Sequence, residues 1–127
     1  MRQLLLAMLM AASSQAVAEW VQVGESGDLT FYVDPSTITR LDSTVKVATL
    51  HDHKTPRANV RGWLYRSEKI QSEFDCQRER WRAVYSTFHF GQMGRGPVSG
   101  DSRSYEWMAV APESIAEAAW KLACGKK

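Results

Sequence analysis

PESIAEAAWKLACGKK, residues 112–127, is the stretch that decides the fold, because it alone carries a helical pattern in a chain otherwise built of strand signals. Ser114 stands three residues before Glu117, the spacing of a reciprocal capping box. Ile115, Ala118, Ala119 and Leu122 follow at helical spacing, and alanine and leucine are strong helix formers. Lys121 and the final lysines suit the negative end of the helix dipole. Gly125 stands where a C-terminal stop is expected. The spacing predicts a helix from Ser114 to Gly125, with Trp120 among small alanines and Cys124 in the last turn. Apolar over much of its surface, that helix must cover one face of a sheet.

Upstream, short runs of alternating apolar and polar residues are separated by turn residues, the signature of strands. EWVQV (19–23) and LTFYVD (29–34) read as the first two. Pro35 breaks the second, since it has no N–H for a ladder. STVKVATLHDH (43–53) is a third, and KTPRANVRG reads as a loop. WLYRSEKIQSEFDC (63–76) shifts its apolar set from odd to even positions, which requires a bulge or bend, expected near Ser67. RERWRAVYSTFHF (78–90) is the fifth run. GQMGRGPVSGD reads as a flexible hairpin loop, and SRSYEWMAV (102–110) as the sixth strand. The expected fold is α+β, an antiparallel sheet of about six strands with one C-terminal helix on one face.

The first residues belong to something else. MRQLLLAMLMAASSQAVAEW has one early charge, Arg2, an apolar run from Leu4 to about Ala12, and a small-x-small ending at Ala16-Val17-Ala18. That is a secretory signal, too short to span a bilayer, which takes roughly 20 residues. It predicts a cleaved leader over 1–18 and one domain over 19–127, with no membrane insertion after cleavage. The leader lacks the cysteine that lipid attachment needs, so the expected product is periplasmic or secreted and not lipid-anchored. Of 16 Lys and Arg, one is Arg2, which leaves 15 against 14 acids in the mature chain. So even a balance carries no electrostatic footprint for nucleic acid.

Export changes the reading of the two cysteines. Oxidising compartments favour disulfides, and two cysteines allow one intramolecular pairing. A C-x-x-C redox motif and the clustered ligands of a structural zinc site are both absent. Cys76 and Cys124 are therefore expected to form a bond that clamps the helix to the sheet. Closing a loop of that length is worth about 4 kcal/mol by chain entropy.

Taken in order, several segments resemble the surface-adhesin protein E family of exported bacterial proteins. They are Trp20, FYVDPSTI (31–38), VKVATL (45–50), Ser67, EFDC (73–76), MGRG (93–96), Trp107, APES (111–114) and Cys124. The resemblance covers nearly all of 19–127. It implies an antiparallel sheet with a disulfide-linked C-terminal helix, and adhesion to host extracellular-matrix and serum proteins. Haem binding and dimerisation are also attributed to members. The namesake adhesins are lipid-anchored, from which this leader departs. The alternative reading is a periplasmic accessory or structural protein with an envelope protein as partner.

Catalysis finds little in the sequence: there is no G-x-S-x-G, no H-E-x-x-H and no phosphate loop. No motif calls for a cofactor, and a non-enzymatic binding domain is expected. Arg78, Arg80 and Arg82 form an alternating basic row, with Arg66 and Lys69 on the strand before. They are the candidate partner-binding residues; the plainer reading pairs them with Glu68, Glu73 and Glu79 across the sheet. His51 and His53 share one side of a strand, too few to define a metal or haem site. His89 is expected to be packed or hydrogen-bonded. Five tryptophans are expected mostly in the core under the helix, with one or two at an interface.

Overall fold

A computed structural model of the protein describes residues 18–126. The predicted leader, Ala18 apart, lies outside the described residues. Seven strands precede one helix: β1 (Val21–Ser26), β2 (Leu29–Leu41), β3 (Thr44–Ala58), β4 (Leu64–Asp75), β5 (Arg80–His89), β6 (Val98–Arg103), β7 (Met108–Ala109) and α1 (Ile115–Cys124). The sheet runs β1-β2-β3-β4-β5-β6 with each strand antiparallel to the next, and β7 pairs with the start of β5. Consecutive strands are spatial neighbours from β1 to β6, so short turns suffice. The tightest turns place Gly27 (φ 56°) and Asp42 (φ 46°) in the left-handed region, which glycine enters freely and aspartate more readily than most residues.

The strands run longer than their alternation suggests, because interruptions are absorbed as irregularities. β2 continues past Pro35 to Leu41, and its register against β3 slips between Asp34 and Thr39. The proline thus sits where no ladder bond is needed. β3 likewise continues through Pro56 to Ala58, where the composition predicts a loop. An irregularity does stand beside Ser67, but its extra residues are on the facing strand. The slip lies between Asp52 and Arg57 of β3, while Ser67 itself pairs with Asp52 and His89. A second slip, opposite Gln71 and Ser72, leaves Val84 of β5 as an extra residue. The expected sixth strand is displaced. β6 begins at Val98, residues 104–107 leave the ladder, and only Met108 and Ala109 rejoin it.

One face of the sheet carries Phe31, Val33, Val45, Val47 and Phe74, which form a single core with α1. Ala119 and Ala123 are fully buried there, and their size lets the helix backbone approach the strands. The stripe that faces the sheet is Ile115, Ala116, Ala119, Trp120, Ala123 and Cys124; Leu122 is exposed, not inward as the spacing predicts. The cap follows the sequence. Ser114 Oγ accepts the Glu117 N–H at 3.1 Å, and Gly125 ends the helix at φ 66°.

Several bonds converge where β4 ends. Cys76 and Cys124 are disulfide-bonded, with Cα atoms 5.6 Å apart. The Trp120 indole N–H donates to the Asp75 carbonyl at 2.8 Å. The Asp75 carboxylate accepts the backbone N–H groups of Gln77 and Arg78 and, at 3.0 Å, the Arg80 guanidinium. Burial opposes ionisation of this carboxyl, but these donors outweigh it and hold its pKa below the usual range. A helix of ten residues spans roughly 15 Å, whereas β2 to β4 each exceed about 35 Å. α1 therefore covers one end of its face and leaves the other end to be closed differently.

Replacing both cysteines by serine is expected to cost about 2–4 kcal/mol, read as a lower urea midpoint with secondary structure retained. Trp120→Phe keeps an aromatic ring and removes the indole bond, for about 1 kcal/mol. Midpoints unchanged in both variants would show that this corner does not hold the helix.

Candidate functional site

The face turned away from α1 is built of cross-strand rows set by the register. Tyr32, Leu50, Lys69, Thr87 and Asp101 form one row, and Asp34, Ala48, Gln71, Tyr85 and Arg103 the next. Thr39, Lys46, Glu73 and Arg82 form a third. Between them lies an open groove of about 710 Å³, lined by Trp20, Lys46, Lys69, Gln71, Tyr85 and Thr87, among others. Tyr85 is held at its rim: the Arg103 guanidinium lies 4.8 Å from its ring centre and its hydroxyl donates to Asp101 at 3.4 Å. Asp34 is buried and engaged, accepting the N–H and hydroxyl of Ser36 and the N–H of Glu19. The groove thus offers two lysines, two aromatic rings, an amide and several hydroxyls. Neither lysine has a carboxylate within ion-pair distance among the described residues.

On the same face, against the Lys69 side chain, lies a segment whose glycines predict a flexible loop. Residues 90–97 fold onto the sheet around a 3-10 turn at Gln92–Gly94. The N–H of Met93 donates to Asp52 Oδ1 at 2.8 Å, and that of Gly94 to Ser67 Oγ at 2.8 Å. Ser67 Oγ–H donates in turn to the Gly91 carbonyl at 2.6 Å. Buried Ser67 is therefore a docking post for this turn, a role that a lone serine in a strand does not announce.

The arginines do not form a uniform row. Arg78 lies in the turn after β4, exposed, its backbone N–H capped by Asp75. Arg80 and Arg82 remain in β5 and pair across the strand with Asp75 and Glu73, at 3.0 and 2.9 Å. Glu79 occupies the turn at φ 47° and Glu68 belongs to the opposite face, so Asp75 takes the place expected of them. Both guanidinium carbons lie 4.4 Å from the centre of the Trp107 ring. That stacking explains why residues 104–107 leave the ladder: the chain detours so that the indole covers the arginines.

The tryptophans distribute differently from expectation. Trp81 and Trp120 belong to the helix-side core, but Trp20 lines the groove and Trp107 covers the arginines. Trp63 lies against Gly100 so closely that a side chain there would overlap its ring; it closes the end of the helix-side face that α1 does not reach. His51 and His53 do point the same way, toward that face. His51 Nδ1 stands 3.9 Å from Glu68 Oε2, and His53 Nδ1 stands 3.6 Å from Asp28 Oδ2. Burial, reinforced by the neighbouring His53, lowers the His51 pKa to about 4. Burial, then Arg57, lowers that of His53, while burial raises that of Glu68. No group of three or more potential ligands stands together among the described residues. His89 bonds Thr87 Oγ1 at 2.9 Å and the Gly96 carbonyl at 3.3 Å.

This architecture can be set against known proteins. The family model of surface-adhesin protein E matches residues 20–125. The chain belongs to the surface-adhesin protein E family. Haemophilus influenzae protein E has a similar fold in solved structures: at 12% identity, TM-scores are 0.67 for its selenomethionine form and 0.66 for another structure, each covering 84% of this chain and 85% and 83% of theirs. A crystal structure of protein E from non-typeable Haemophilus influenzae has a TM-score of 0.65 at 12% identity, over 91% of this chain and 82% of that one. Comparison with curated protein sequences gives no match. Membership places the chain among exported or cell-surface adhesin-like proteins. None of the described helices is long and apolar enough to cross a membrane.

A His51 pKa near 4 has a definite consequence. Below the unfolded value of about 6.5 the unfolded chain binds a proton that the folded one does not, so stability falls as pH drops from about 6.5 to about 4. The expected loss from His51 is roughly 2–3 kcal/mol, and the fall should be smaller by about that amount in His51→Leu, which keeps the part contributed by the lowered pKa of His53. A stability profile flat over that window in the parent protein would contradict it.

Proposed function

We propose that this domain is a non-enzymatic binding module that recognises an extracellular macromolecule, a matrix-type protein, through the groove on the face opposite α1. The observation that carries the reading is the combination of Lys46 and Lys69 with Trp20 and Tyr85 in one open groove. Rigid aromatic rings supply contact area at low entropic cost, and unpaired ammonium groups supply attraction for acidic segments. Arg80 and Arg82 flank this surface and shape it through Trp107, while Arg78 is the arginine of the three that stands free to reach a partner. Family membership supports adhesion as the purpose of such a surface. Partner recognition accounts for groove and charge without assigning chemistry to any side chain.

The test is solid-phase binding of the exported, oxidised protein to a panel of extracellular-matrix proteins, with cell fractionation beside it. Lys46→Glu combined with Lys69→Glu is expected to weaken binding at least tenfold, and Tyr85→Ala several-fold. Raising salt should weaken the parent as well, because exposed charges are screened within about 8 Å at physiological ionic strength. Saturable binding that ignores both groove variants would move the site elsewhere. Absence of saturable binding to every panel member would remove the host-adhesin reading. Material confined to the periplasm would leave an envelope protein as the partner.

A further inference from the structure

We propose that removal of the leader between Ala18 and Glu19 creates an ion pair that the uncut chain lacks: the new α-ammonium group of Glu19 against the buried carboxylate of Asp34. The pair holds the start of β1 beside the groove and makes processing a step that stabilises the exported protein. It forms whatever the groove binds.

Asp34 is 2% exposed, yet no lysine, arginine or histidine stands within ion-pair distance of it among the described residues. Glu73 and Asp75, also buried, each hold a guanidinium. Asp34 Oδ1 accepts the N–H of Ser36 at 3.0 Å and its hydroxyl at 2.6 Å. Oδ2 accepts only the Glu19 N–H among the described residues, at 3.3 Å. A buried carboxylate with hydrogen bonds but no cation still carries part of its desolvation cost. The register explains the meeting. β1 pairs Val21 with Val33, so one step further out sets Trp20 across from Asp34, with Glu19 just beyond. Ala18, Trp20 and Asp34 all line the groove.

The nitrogen at this place is the one that cleavage changes. Ala16-Val17-Ala18 is the small-x-small ending that a signal peptidase reads, and the next nitrogen is that of Glu19. Hydrolysis adds water across the Ala18–Glu19 peptide bond. The Ala18 carbonyl carbon takes the hydroxyl and departs as a carboxylate. The Glu19 nitrogen keeps its own proton and gains two, one from water and one from the new acid. A neutral amide donor thereby becomes a cation, released from the peptide plane and able to turn toward Oδ2. Hydrogen bonds from a charged donor are roughly twice as strong as neutral ones. Other charges nearby do not replace it: Lys46 lines the groove without reaching Asp34, and the exposed Glu19 side chain has the wrong sign. Cleavage also takes Ala18 out of the groove wall. The uncut chain lacks this pair, just as the reduced chain lacks the Cys76–Cys124 bond that an oxidising compartment favours. Both stabilising contacts are then completed after export.

The test uses the exported, oxidised protein. Its mass and N-terminal residue are determined, and its urea unfolding is compared before and after acetylation of the α-amine. Mildly acidic pH directs acetylation away from the lysines, which stay protonated. The acetyl group restores the neutral amide of the uncut chain and keeps its N–H, so only the charge is lost. The expected N-terminus is Glu19. Acetylation should lower the folding equilibrium constant about five- to thirtyfold, the range of a charge-assisted bond partly open to solvent. In Asp34→Asn the same treatment should change it less than about twofold, because the coupling needs both charges. Should Asp34→Asn fail to fold, carbon NMR of the parent protein serves instead. Acetylation should then move the Asp34 carboxyl signal and leave those of Glu73 and Asp75 in place. The proposal is overturned by an N-terminus other than Glu19, by stability that acetylation leaves unchanged, by an equal loss in Asp34→Asn, or by an Asp34 carboxyl signal that does not move.

Discussion

The corner at Asp75, Cys76, Trp120 and Cys124 is the constraint on which the two-faced character of this protein depends. A ten-residue helix is marginal by itself and has only one end of a sheet face to pack upon. The disulfide fixes its C-terminal turn at the end of β4, and the indole bond to the Asp75 carbonyl fixes its rotation there. With that end pinned, the alanine stripe must lie against Val33, Val45 and Val47. The N-terminal turn is then carried out over Phe31 and His51. One face is thereby committed to the core, and the other is left free of the helix along its whole length.

Asp75 also connects the two faces. It receives the helix through its backbone carbonyl and orders the other side through its carboxylate, which closes the following turn and orients Arg80. Arg80 and Arg82 then form a platform for Trp107, and the detour of residues 104–107 follows. Paired and stacked in this way, the two guanidinium groups are part of the architecture. Removing either would leave a buried partner carboxylate without its cation, which is more costly than the loss of an exposed pair.

Much of this is legible in the residues. The capping box at Ser114, the alanine-rich stripe and the stop at Gly125 are local signals, and local signals define a helix whose ends are capped. The antiparallel strands are legible for the same reason, since alternation and turn residues are read within a few positions. The pairing of Cys76 with Cys124 follows from the count of cysteines and the reading of export. What escapes the sequence is set by contacts across the sheet. The prolines at 35 and 56 look like strand breakers until each is seen to sit in a bulge of its own strand, where the register to the next strand slips. Ser67, Asp52 and the turn at Gln92–Gly94 come together from three separate segments, and nothing local to any one of them signals the other two. Alternation alone groups Arg78 with Arg80 and Arg82, and it fails where a strand ends. The groove is likewise hidden, because Trp20, Lys46, Lys69 and Tyr85 come from four segments that only the register aligns.

The free charges follow from that distinction between architecture and surface. Where a cation is already held by a carboxylate and a ring, as with Arg80 and Arg82, binding a partner through it first requires giving up those contacts. A cation with no such contacts loses only hydration and side-chain freedom, a smaller cost for a flexible ammonium that keeps part of its water. Lys46 and Lys69 are of the second kind, and they line the groove together with the rings that a partner would stack against. The stacked arginines fix the shape of that surface, and in the proposed binding role the lysines would carry its attraction. Division of labour of this kind lets a small domain keep a polar face rigid and still leave it charge with which to bind.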